Sequence, residues 1–182
     1  MANSLWTFSN VLSISRVALL PAILYVLFLN THIGTILTFI LLSIAALTDY
    51  LDGYFARKWN QVSEYGKIID PIADKICVGV MGIAFVSVEK LPLWFFLLII
   101  SRDAIILLAG MWLKSSKKIV LSSNRMGKWA VTIVACTFLL ALFIPYQQFS
   151  VQFLIYCSTV MLFVSFFQYL QRFYKIIFTD SR

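Results

Sequence analysis

Charge is what this sequence has least of. Of 182 residues, 13% are charged and 61% are hydrophobic, against about 25% and about 45–50% in an ordinary soluble domain. That balance excludes a water-surrounded globule and makes lipid the expected solvent. Histidine occurs once, as His32 beside Asn30 and Thr31 in a short polar link, which leaves no basis for a histidine-built zinc site. The three cysteines, Cys77, Cys136 and Cys157, stand singly in apolar stretches without Cys-x-x-Cys spacing. They read as small buried hydrophobes and carry no redox information. Neither a repeat nor a low-complexity tract is visible. Met1 to Asn10 lacks the basic start and small-residue cleavage site of a signal peptide; Trp6 and Phe8 suit a short segment at the membrane interface.

What is present is a succession of long apolar stretches. Six helices are expected at about Asn10–Asn30, Gly34–Arg57, Gly66–Val88, Leu91–Lys114, Gly127–Ile144 and Phe149–Phe178, each near the roughly 20 residues a bilayer requires. Pro92 and Pro145 mark turns. The expected fold is an all-α integral membrane protein of six transmembrane helices, a single domain over residues 1–182. Orientation follows from the basic residues. Arg57, Lys58, Lys67, Lys114, Lys117, Lys118, Arg125, Lys128, Arg172, Lys175 and Arg182 fall on one side, and the opposite links carry only Lys90. Cytoplasmic links are enriched in Lys and Arg, so both termini and the Arg57–Gly66 link are expected in the cytosol. The net charge of +7 then forms a juxtamembrane belt for anionic headgroups and phosphates rather than a nucleic-acid surface.

Four of the eight acidic residues cluster. Asp49 and Asp52 lie near the cytosolic end of the second helix, Asp70 and Asp74 near the start of the third. Residues three or four apart share a helix face, and a short link makes the two helices antiparallel neighbours whose carboxylate pairs can meet. An intramembrane Asp costs about 2.5–3.5 kcal/mol at a helix centre, and like charges sharing a site take up protons or cations. Carboxylate oxygens suit magnesium and manganese, and two such ions form a clamp for phosphoryl chemistry. Ion pairing with Arg57, Lys67 and Lys75 explains any one of these aspartates but not four beside small residues. A cation transporter is the alternative of another class, yet the broken helices and repeats of transporters are not seen.

The stretch Asp49-Tyr-Leu-Asp52-Gly53-Tyr-Phe-Ala56-Arg57, then eight residues, Gly66, three residues, Asp70, three residues and Asp74 resembles the CDP-alcohol phosphotransferase signature at every defined position. Asn10-Val-Leu-Ser13-Ile-Ser-Arg16, with Pro21 beyond, resembles the family's first-helix pattern. The resemblance implies six helices, a cytosolic site, commonly a homodimer, and transfer of a phosphate-linked group from a CDP-linked donor to an alcohol with release of CMP. It implies Asp49, Asp52, Asp70 and Asp74 as ligands of two divalent cations, Mg2+ or Mn2+, with Asp74 also the catalytic base. Asp52, Gly53, Ala56, Arg57 and Gly66 would contact the CDP donor: the small residues clear room for cytidine and diphosphate, and Arg57 pairs with a phosphate.

The embedded chain and its short links suit a lipid donor, CDP-diacylglycerol, in a bacterial inner membrane. For the acceptor, Arg102, Arg125, Lys128 and Arg172 are the cationic candidates to hold a phosphate. Arg102 lies midway along the fourth helix, and a guanidinium at that depth needs a partner; Asp103, its neighbour, is expected on a different face, so another helix or a ligand must supply it. The overall pattern, with Gly127-Lys128, resembles phosphatidylglycerophosphate synthases, which accept glycerol 3-phosphate. The Ile100-Ser101-Arg102-Asp103 stretch resembles cardiolipin synthases of the same family, which accept phosphatidylglycerol. Glycerol 3-phosphate is favoured as the commonest acceptor of small members.

Overall fold

A computed structural model describes residues 8–58, 66–117 and 125–179; the side chains of residues 8–14, 16, 49–58, 66–74, 114, 117, 125, 178 and 179 lie outside the description. The protein is an all-α integral membrane protein. The described residues form six helices, α1 (Phe8–Phe28), α2 (His32–Lys58), α3 (Gly66–Ser87), α4 (Leu93–Lys117), α5 (Arg125–Phe143) and α6 (Phe149–Thr179). Each falls within a few residues of the sequence expectation. Phe8 opens α1, and Met1 to Thr7, with Trp6, are outside the described residues. His32 likewise begins α2 and is not part of the link. Leu93–Leu113, Met126–Phe143 and Phe149–Ile177 are long and apolar enough to cross a membrane, whereas the described apolar parts of the first three helices are shorter.

The chain divides into two compact units, up to Val88 and from Glu89. In the first, α1 packs against both α2 and α3. Leu20, Ile23 and Leu27 recur at helical spacing and are buried on α1, as are Met81, Ala84 and Phe85 on α3. The α1–α2 turn is built by three residues. Asn30 takes the left-handed conformation, φ 46°, which asparagine tolerates better than most. Thr31 caps α2 by accepting a hydrogen bond from the Gly34 amide at 3.0 Å. Gly34 is needed for close approach, because a Cβ there would stand 2.7 Å from the carbonyl oxygen of Val26. Backbone cannot step aside as a side chain can. Gly34→Ala is therefore expected to cost about 1–3 kcal/mol and to lower the Tm in detergent by about 5 °C or more. Thermal unfolding followed by circular dichroism measures this; an unchanged Tm contradicts the close approach.

In the second unit α6 packs against both α4 and α5. Val151, Ile155, Ser158, Leu162 and Ser165 are buried along α6, alternating four and three apart. This is the spacing of a helix seam that meets its neighbours at a shallow angle. Lipid offers apolar side chains no solvent-driven reason to associate, so close packing of small residues and hydroxyl hydrogen bonds carry more of the contact. Ala130 and Ala141 of α5 are fully buried, and Thr137 meets Ser158 at 2.9 Å. Pro145 turns the chain from α5 to α6, its carbonyl accepting from the Gln148 amide at 3.0 Å. Lys90, the one basic residue of the opposite links, donates to the Leu142 carbonyl at 3.1 Å. A cation there satisfies an orphan carbonyl at the negative end of α5. None of the three cysteines is in a disulfide, and they are not the buried hydrophobes expected: Cys136 is exposed and Cys77 and Cys157 are half-buried.

Candidate metal and phosphate site

The carboxylates sit where two helices end and begin. Helix α2 is continuous through Asp49, Asp52, Gly53, Ala56 and Arg57, and α3 starts at Gly66 and continues through Asp70 and Asp74. A step of three or four residues brings backbone positions back to the same side of a helix, so each pair shares a side. That α2 and α3 are antiparallel neighbours with facing pairs is an expectation from spacing. The side chains of Asp49, Asp52, Gly53, Ala56, Arg57, Gly66, Asp70 and Asp74 lie outside the described residues, as does most of the link between the helices. The donor set itself fits hard divalent cations, being four carboxylates without a sulfur or imidazole. Among the described residues there is no other group of three His, Cys, Asp or Glu able to hold a metal.

The second cationic feature is described atom by atom. Arg102, on α4, places Nη1 2.7 Å from Oδ1 of Asp103 and donates from Nη2 to Oγ of Ser165 on α6, also 2.7 Å away. Both members of the ion pair have side chains only 14% exposed, and Ser165 is fully buried. Two expectations meet here. Another helix does supply a partner, namely Ser165. Asp103 supplies one too, against the expectation, because the arginine side chain is long enough to reach the carboxylate of the next residue. A charge at that depth is tolerated when paired and hydrogen-bonded. The Nε atom of Arg102 is buried without a partner among the described residues.

The same seam continues toward the end of α6. Tyr169 donates its hydroxyl proton to the Ile106 carbonyl at 3.1 Å and lies 3.6 Å from where a Cβ on Gly110 would stand. Ring pairs Trp94–Tyr156 and Trp112–Phe173, with centroids 6.4 and 5.9 Å apart, bracket the polar contacts, so α4 and α6 run parallel in register. Of the other acceptor candidates, Lys128 and Arg172 are exposed. Arg125 begins α5, with its side chain outside the described residues. Among the described residues, neither Lys128 nor Arg172 is in contact with Arg102. Ser165 and Tyr169 were not singled out from sequence; the seven-residue step from Ser158 to Ser165 in an apolar helix was the available signal.

A family model described as CDP-alcohol phosphatidyltransferase matches residues 6–168. Three relatives share the name CDP-diacylglycerol--glycerol-3-phosphate 3-phosphatidyltransferase. The one from Aquifex aeolicus is 33% identical over 94% of this chain and 98% of its own length. That from Haemophilus influenzae is 31% identical over 88% and 89%, and that from Bacillus subtilis 31% identical over 79% and 81%. The match spans both units, and it removes the basis for reading the carboxylates as a transporter's.

Proposed function

We propose that this chain, which belongs to the CDP-alcohol phosphatidyltransferase family, moves the phosphatidyl group of CDP-diacylglycerol to glycerol 3-phosphate, giving phosphatidylglycerophosphate and CMP. The observation that carries this reading is near full-length similarity to a relative named for that reaction, in a chain that keeps all eight signature residues on the ends of α2 and α3.

The two units act as one catalytic domain in a homodimer. The site opens to the cytosol of a bacterium from its inner membrane, on the side where Lys and Arg concentrate. Asp49, Asp52, Asp70 and Asp74 hold two divalent cations, Mg2+ or Mn2+, which when bound neutralise charge on the diphosphate oxygens of the donor. Gly53, Ala56 and Gly66 leave room for cytidine and diphosphate beside the backbone, and Arg57 pairs with a donor phosphate. Asp74 accepts the proton of the acceptor's hydroxyl. The freed oxygen forms a bond to the phosphorus carrying the diacylglycerol, the bond from that phosphorus to the bridging oxygen breaks, and CMP departs with that oxygen. Arg102, Arg125, Lys128 and Arg172 hold the phosphate already on the acceptor.

Purified protein with CDP-diacylglycerol, Mg2+ and a panel of alcohols is the test. CMP release with glycerol 3-phosphate, and a phosphatidylglycerophosphate product, is expected. The Ile100–Asp103 stretch makes phosphatidylglycerol the second acceptor to try. CMP with that lipid alone transfers the chain to the cardiolipin reading, and no CMP with any acceptor from folded protein overturns both.

A further inference from the structure

We infer that Ser165, together with Asp103, is a positioning residue for the acceptor: the two hold the guanidinium of Arg102 from opposite ends and present its remaining donors to a phosphate monoester. This rests on the reading of Arg102 as an acceptor contact given above, and it adds how that contact is made specific. Arginine has five N–H donors in a rigid plane. The two 2.7 Å contacts, Nη1 to Asp103 and Nη2 to Ser165, bind both terminal nitrogens, so the plane cannot turn about its own axis. Asp103 comes from α4 itself, but Ser165 comes from α6, so the orientation of the plane depends on the alignment of the two helices. The Tyr169 hydroxyl on the Ile106 carbonyl fixes that alignment one turn further along each helix.

What is left over points to an anion. Nε is buried and lacks a partner among the described residues, and a buried donor without an acceptor is costly to maintain. An oriented guanidinium matches the oxygens of a phosphate in a way a free-swinging one does not, because less motion is lost when the bonds form. Ile99 and Leu162, one turn away on the same two helices, are buried and apolar. A neutral alcohol gains little there. Ser165 therefore favours acceptors that carry a phosphate.

Steady-state kinetics with each substrate varied in turn test this. Ser165→Ala is expected to raise KM for glycerol 3-phosphate about tenfold, the effect of one hydrogen bond to a charged group. It leaves KM for CDP-diacylglycerol within twofold and kcat within about threefold. Ser165→Thr, which keeps the hydroxyl, restores most of the loss. Asp103→Asn gives the same selective rise and serves if the alanine variant does not fold. An unchanged KM for glycerol 3-phosphate, or equal rises for both substrates, overturns the inference while leaving the proposed reaction standing. Wild-type protein inert toward glycerol 3-phosphate removes the reaction and the inference together.

Discussion

Asp70→Asn lowers CMP release by about a hundredfold to a thousandfold and Asp74→Asn by more, measured at saturating CDP-diacylglycerol and glycerol 3-phosphate. The substitution is nearly isosteric, so helix α3 is preserved while a negative charge and a hard oxygen ligand are lost. Removing one preorganised electrostatic contact to a developing charge costs about 10²–10³ in turnover. Asp74 loses more, since a positioned base contributes a further 10²–10⁴. The two variants part company in a metal titration. Raising Mg2+ recovers some of the Asp70→Asn rate because the defect is weakened binding, whereas Asp74→Asn stays slow at every concentration. Near-normal rates in both refute the assignment of these carboxylates. A full recovery of Asp74→Asn by metal would strip that residue of its role as base and leave it a ligand only.

The second large effect belongs to Arg102. Arg102→Leu takes from Asp103 its ion-pair partner at 2.7 Å, and breaking a buried pair from one side costs about 3–5 kcal/mol. A fall in Tm of about 10 °C in detergent is expected. KM for glycerol 3-phosphate rises about a hundredfold, the worth of two charge-assisted bonds. The double variant, Arg102→Leu with Asp103→Leu, separates the two consequences. Replacing a buried pair by apolar residues of similar volume is often neutral for stability, so the double variant regains most of the lost Tm. Its KM stays high. Should acceptor affinity return along with the Tm, Arg102 would be a packing element and the acceptor site would have to be sought at Lys128 or Arg172.

The helices were legible because lipid imposes one rule on every span: apolar residues for about 20 positions, then a polar break. Pro92, Pro145 and the Arg57–Gly66 stretch marked those breaks, and the helix ends fall beside them. The aspartates were legible for the opposite reason, since charge is scarce enough here that four carboxylates at helical spacing stand out. Less legible were the contacts among helices. Composition placed Arg102 in α4 and demanded a partner, but the adjacent Asp103 was set aside on helical geometry, which ignores the reach of a long side chain. Nothing in a single serine announces that it faces α4; the bond between Ser165 and Arg102 depends on the register of α4 and α6. His32 reads as part of the link because a polar residue at a helix start looks the same as one in a link.

The distance along the chain between Arg102 and its partners carries a consequence for biogenesis. Helix α4 leaves the ribosome well before α6, so when it meets the bilayer Ser165 has not yet been made. Asp103 has. A counter-charge one residue away travels with Arg102 and lets the Leu93–Leu113 span of α4 enter lipid as an electrically neutral segment, at far lower cost than a lone guanidinium. Helices α5 and α6 face no such delay, since Thr137 and Ser158 satisfy one another across the Pro145 turn and the two can insert as a hairpin. Only when that hairpin closes on α4 does the guanidinium gain its second contact. Asp103 thus serves the nascent chain first and the finished protein afterwards.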